Sequence, residues 1–142
     1  MMRQYAGRCG CGATQVTLHS QLAPEQFQPR SDAETCGFCR QHGGIWISDP
    51  SGSLVIAGSN ATRTKQFATA QVQFHFCATC DELAYAIYAD SEAANQVAVV
   101  RRDLFAPIAA SAQPVIGTNF EGEAAAAARQ RRLRNWTAVR EA

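Results

Sequence analysis

Polar and apolar residues alternate in short runs along much of this chain, the period of a strand with one buried face. Gln15-Val16-Thr17-Leu18 is the first such run, leaving the motif Cys9-Gly10-Cys11-Gly12. From Gln21 to Asp32 the chain carries Pro24 and Pro29, which break both helix and ladder, so this stretch reads as a loop. Ile45-Trp46-Ile47 and Ser53 to Ala57 read as strands separated by the turn Asp49-Pro50-Ser51-Gly52. The cleanest alternation runs from Gln71 to Cys77, with Val72, Phe74 and Phe76 on one face and Gln73, His75 and Cys77 on the other. Leu83 to Ala89 and Val97 to Val100 add two further apolar strands. Together these elements predict a mainly antiparallel β protein with turn chemistry between its strands.

The tail follows another pattern. Glu123 to Arg134 holds five consecutive alanines and then Arg129, Gln130, Arg131, Arg132, Leu133 and Arg134, all good helix formers. Glutamate near the start and arginine near the end suit the helix dipole, so a terminal helix is expected. Its four arginines read as a solvated helical face. The chain divides on this reading into residues 1–118, a β domain, and residues 119–142, a helical tail.

Composition narrows the function. A chain of 142 residues has the size of one domain, and 46% hydrophobic with 18% charged residues is ordinary for a packed globule. The formal net charge of +1 supplies no field to concentrate nucleic acid or anionic membrane, and stacking aromatics do not coincide with a basic stripe. No apolar run has the length of a signal peptide or a membrane span, so a cytoplasmic protein is expected. In a reducing compartment six cysteines favour metal ligation or thiol chemistry over disulfides.

The cysteines fall into three pairs: Cys9 and Cys11, Cys36 and Cys39, Cys77 and Cys80. A C-x-C early and a C-x-x-C late each present two thiolates from one tight stretch, and a tetrahedral zinc ion takes two such halves. Cys9, Cys11, Cys77 and Cys80 are therefore expected to form one structural zinc site tying the N-terminal strand to the strands around residues 71–89. Gly10 and Gly12 remove side chains where the backbone must bend towards the metal, and Asp81 tolerates the turn that follows Cys80. The middle pair is a second candidate. Glu34, Cys36 and Cys39 together would make a three-ligand zinc site with an open position, His42 is an alternative ligand, and His75, on the face of Cys77, is a candidate supporting residue.

The segments Arg8-Cys9-Gly10-Cys11-Gly12-Ala13, Cys36 to Arg40, Gly58, and Phe76-Cys77-Ala78-Thr79-Cys80 with its following apolar strand resemble the glutathione-dependent formaldehyde-activating enzyme family, which includes the centromere protein V domain. The resemblance covers roughly residues 5–105. It implies a β-tent of small antiparallel sheets, a structural zinc on Cys9, Cys11, Cys77 and Cys80, and a second zinc near the glutathione site on a C-x-C-x-x-C motif. This sequence departs from that motif, with Glu34 in place of its first cysteine and Cys36 and Cys39 as the matching residues. Asp81 stands where the family has glycine, and the family's Gly-x-Leu-Asp-like turn appears as Arg102-Asp103-Leu104-Phe105.

The implied activity is carbon-sulfur lyase chemistry, joining formaldehyde to the glutathione thiol or the reverse. Zinc suits it by holding a thiol as thiolate near neutral pH. Glu34, Cys36 and Cys39 are then the candidate catalytic residues, and Arg40, Arg63 and Lys65 the candidate cations for the substrate carboxylates. Two alternatives come from other classes. One is a non-catalytic zinc scaffold that binds a protein partner; the other is a dithiol redox protein using Cys36-Gly37-Phe38-Cys39, against which the missing βαβ setting counts.

Overall fold

The computed structural model describes residues 2–32, 45–57, 60–66, 72–90, 95–111, 113–118 and 124–141. Among these, eleven strands are joined by hydrogen bonds: β1 (Arg3–Arg8), β2 (Gln15–Ser20), β3 (Arg30–Asp32), β4 (Trp46–Ile47), β5 (Ser53–Ile56), β6 (Thr62–Gln66), β7 (Val72–Cys77), β8 (Leu83–Asp90), β9 (Asn95–Arg101), β10 (Ile116–Thr118) and β11 (Thr137–Glu141). The mainly β architecture and the C-terminal helix are as expected from the sequence. The helix spans Ala125–Asn135.

Strand β9 is the branch point. It pairs antiparallel with β8, β11 and β4, so that one arm runs β9, β8, β7, β6 and the other arms lead to β1 and to β10. With one hydrophobic core on each side, β8 and β9 are buried on both faces, and their near-continuous apolar runs reflect this. Tyr85, Ala98 and Val100 face one core with Leu18, Leu54 and Phe105. Ala86, Tyr88, Val97 and Val99 face a second core with Trp46, Phe74 and Trp136.

The stretch from Gln21 to Asp32 is not simply a loop. It contains a 3-10 turn at Pro24–Gln26 and the strand β3 after Pro29. Proline did break the ladder locally, but its carbonyl still accepts a bond from Ile116 N–H at 2.8 Å, and β3 is held by β4 and by a parallel partner, β10. Those partners lie far along the chain, where local pattern does not reach.

The solvated reading of the arginine-rich helix also needs correction. Arg131 and Arg132 are buried, and the Arg132 guanidinium lies 5.1 Å from the centre of the Tyr88 ring and 5.8 Å from that of Trp136. Such stacking offsets the cost of desolvating the cation. After the helix, β11 enters the sheet between β5, to which it is parallel, and β9. Asn135 anchors this junction by accepting the Ser48 hydroxyl at 2.8 Å on its carbonyl, and the Thr137 hydroxyl accepts the Asp49 N–H at 2.8 Å.

Candidate metal centre

Two antiparallel hairpins present the cysteines. In the first, β1 and β2 pair from Arg3 with Ser20 to Arg8 with Gln15, and the connecting residues carry Cys9 and Cys11. Cys9 N–H bonds to the Thr14 carbonyl at 3.1 Å and Gly12 N–H to the Cys9 carbonyl at 3.0 Å, which folds the connection into a tight knuckle. Gly12 takes φ +79, a left-handed conformation that a side chain would strain. A Cβ at Gly10 would fall 2.6 Å from a carboxylate oxygen of Glu82, the far end of a flexible side chain that can move aside, so Glu82 packs over this glycine without requiring it.

The second hairpin joins β7 to β8. Cys77 N–H bonds to the Glu82 carbonyl at 2.8 Å and Asp81 N–H to the Cys77 carbonyl at 2.8 Å, closing a turn that carries Cys80. Asp81 adopts φ 64, the one non-glycine positive φ among the described residues and a conformation that aspartate tolerates better than most.

The two knuckles meet because a third segment bridges them. The Asn60 side chain accepts Gln15 N–H at 2.9 Å and donates to the Gln15 carbonyl at 2.8 Å, imitating a strand partner for β2. One residue on, the Ala61 carbonyl accepts Ala78 N–H at 2.9 Å, and Thr62 pairs with Cys77 in the β6–β7 register. Sequence reading missed Asn60; only its place next to a strand start hinted at a turn residue.

The result is a cluster in which one ligand atom from each of Cys9, Cys11, Cys77 and Cys80 lies within 4.8 Å of every other. Cys9 and Cys11 sulfurs are 3.5 Å apart, and those of Cys11 and Cys77 are 3.6 Å apart. These are not bonded sulfurs, which sit about 2.05 Å apart. They are close to the edge of about 3.8 Å that a tetrahedron of sulfurs 2.3 Å from a central ion would have.

The electrostatics point the same way. Burial opposes ionisation of Cys77, but contacts from the Thr14 hydroxyl and the N–H groups of Cys80 and Thr79 outweigh it and bring the thiol down to about 6. At Cys11 the Ala13 N–H favours the thiolate, yet burial and the neighbouring thiols of Cys80, Cys9 and Cys77 drive it up to about 12. Cys9 is lowered: burial and the Cys77 thiol work against this, while the Thr14 N–H and the thiols of Cys11 and Cys80 bring it about. Four such thiols cannot all ionise side by side unless a cation neutralises them. The Thr14 hydroxyl is fully buried and has no hydrogen-bond partner of good geometry among the described residues, which leaves it able to serve a thiolate. The four residues therefore suit a metal ion, and an all-sulfur donor set suits a soft, tetrahedral one.

The remaining candidates are placed as follows. The Nδ1 of His75 is 2.9 Å from the Thr62 hydroxyl, its ring stacks on Tyr85 at 4.7 Å, and burial lowers its basicity. Arg63 and Lys65 lie on β6, which has no second strand neighbour among the described residues, and Arg63 forms an exposed ion pair with Asp81 beside the metal knuckle. Glu82, which sequence reading did not single out, receives a bond from Arg101 at 3.3 Å and so links the knuckle to the end of β9. Glu34, Cys36, Cys39, Arg40 and His42 lie outside the described residues. No helix among the described residues is long and apolar enough to cross a membrane.

Neither known protein families nor curated proteins match this sequence. One solved structure with a similar fold is that of a Rhodobacter sphaeroides protein determined as a structural-genomics target. It is 20% identical, with a TM-score of 0.54, and the alignment covers 80% of this chain and 99% of the other. At that identity the likeness concerns the fold.

Proposed function

We infer that this chain is a zinc protein of the glutathione-dependent formaldehyde-activating type, in which the four-cysteine centre is a structural staple and the chemistry belongs to the middle pair. The observation that carries the zinc reading is the approach of the Cys11 and Cys77 sulfurs to 3.6 Å across 66 residues of chain, with Cys9 and Cys80 completing a tetrahedral donor set. Zinc is the ion that four thiolates at this spacing fit best, and its role there is closed and structural because no open position remains.

The lyase reading rests on the resemblance of the cysteine segments. On it, Glu34, Cys36 and Cys39 hold the reacting centre and bring the glutathione thiol against formaldehyde. Arg40, Arg63 and Lys65 are the cations proposed for the substrate carboxylates, with Arg63 shared with Asp81. A scaffold without catalysis is the second reading, favoured by the glutamate at position 34, because it changes the donor set of the middle pair while leaving the staple untouched.

Zinc per chain, measured by elemental analysis on the native protein and on a Cys36→Ser, Cys39→Ser variant, separates the readings. Two equivalents falling to one, with glutathione-dependent consumption of formaldehyde by the native protein, supports the lyase. One equivalent in both, without turnover, supports the scaffold. No zinc in either sinks both.

A further inference from the structure

The four sulfurs differ sharply in their access to solvent. Cys9 and Cys77 are buried, Cys80 is half-buried, and Cys11 is exposed. Exposed Cys11 stands 3.6 Å from buried Cys77, on the other hairpin. Its second sulfur contact is Cys9 at 3.5 Å, two residues away on the same knuckle.

A dissolved oxidant therefore meets Cys11 first, and as a ligand of the ion Cys11 would be held as the thiolate that its exposure makes susceptible. We propose that the centre is a redox-operated metal site, in which a hydroperoxide oxidises Cys11, Cys77 closes a disulfide onto it, and the metal ion is released. The proposal rests on the zinc reading above. In the first step the Cys11 thiolate attacks the terminal peroxide oxygen, the O–O bond breaks, alkoxide (hydroxide for hydrogen peroxide itself) departs, and Cys11 becomes a sulfenic acid. In the second, the Cys77 thiolate attacks the Cys11 sulfur, the S–S bond forms as the S–O bond breaks, and hydroxide departs. The two sulfurs lose two electrons and the peroxide takes both. Cys9 and Cys80 alone remain to the ion, half of its ligand set, and it dissociates.

Of the sulfurs 3.5 and 3.6 Å from Cys11, Cys77 rather than Cys9 is the resolving partner, because the Cys9 to Cys11 knuckle is already closed by the Cys9 to Thr14 and Gly12 to Cys9 backbone bonds and a disulfide across it would have to distort that turn. Cys80 also lies within 4.8 Å, and a Cys11 to Cys80 disulfide in the peptide map overturns the assignment of Cys77. A Cys11 to Cys77 disulfide instead joins the same two hairpins that the metal joins. Oxidation thus exchanges one cross-link for another, and the fold outlasts the loss of its ion.

The test uses the full zinc-loaded chain, its zinc content measured first. Hydrogen peroxide is added in the presence of a chromogenic zinc chelator, disulfides are mapped by peptide mass spectrometry, and the melting of the oxidised chain is recorded. The expected result is one zinc released per Cys11 to Cys77 disulfide, a cooperative melt retained after release, and recovery of zinc binding after dithiothreitol. Zinc that stays bound while other thiols oxidise overturns the proposal and leaves the zinc reading standing. Release with mixed pairings and no cooperative melt also overturns it. A chain that holds no zinc before peroxide is added overturns both readings.

Discussion

Stripping the metal from the four-cysteine centre should cost this fold much of its stability, and the structure sets the scale. A bound ion would join Cys11 to Cys77, 66 residues apart, and so remove from the unfolded chain the freedom of a loop of that length. The chain-entropy relation for a cross-link closing such a loop gives about 4 kcal/mol at 25 °C. This is a lower bound, because the ion holds four sulfurs and the apparent binding energy of structural zinc is on the order of 10 kcal/mol. For a domain of this size about 4 kcal/mol corresponds to a fall in melting temperature of roughly 10 to 20 °C. The assay is calorimetry of zinc-loaded protein beside the same protein held in excess chelator, with circular dichroism to follow the sheet. Cys77→Ser should mimic the chelated protein whether or not zinc is added. Coincident melts of loaded and chelated protein would refute the reasoning, since an ion that bridges these hairpins cannot leave without freeing the loop.

Three further outcomes follow from particular residues. In the metal-free chain, stability should rise with pH between about 6 and 9, because Cys77 ionises in the fold at about 6 but at 9.0 when unfolded, so the unfolded state binds the extra proton. Above pH 9 the sign reverses, because Cys11 keeps its proton in the fold until about 12; urea midpoints of chelated, reduced protein across this range check both limbs. Gly7→Ala should cost about 1 to 3 kcal/mol in urea unfolding, since its Cβ would fall 2.6 Å from the fully buried Phe105 ring, which has nowhere to move. Arg132→Ala should lose about 2 kcal/mol with its stacking on Tyr88 and Trp136, and Arg132→Lys should recover only part, because the flat guanidinium is what the two rings contact.

Much of this protein is written locally. The alternation of Val72, Phe74 and Phe76 placed β7 and its buried face, the alanines and arginines of the tail placed the helix, and Cys9-Gly10-Cys11 with Cys77-Ala78-Thr79-Cys80 carried the metal site as ligand spacing. These signals survive without a structure because each depends on neighbours within a few residues. The tertiary structure decided what depends on distant partners. Strand β3 exists because β4 and β10 pair with it, β11 because β5 and β9 leave a slot between them, and neither strand's own pattern announces this. Arg132 reads as a solvent residue until Tyr88 and Trp136 supply a surface for it. Ligand identity was therefore a property of the chain, whereas the closure of the site, through Asn60 bridging Gln15 to the neighbouring strand, was a property of the fold.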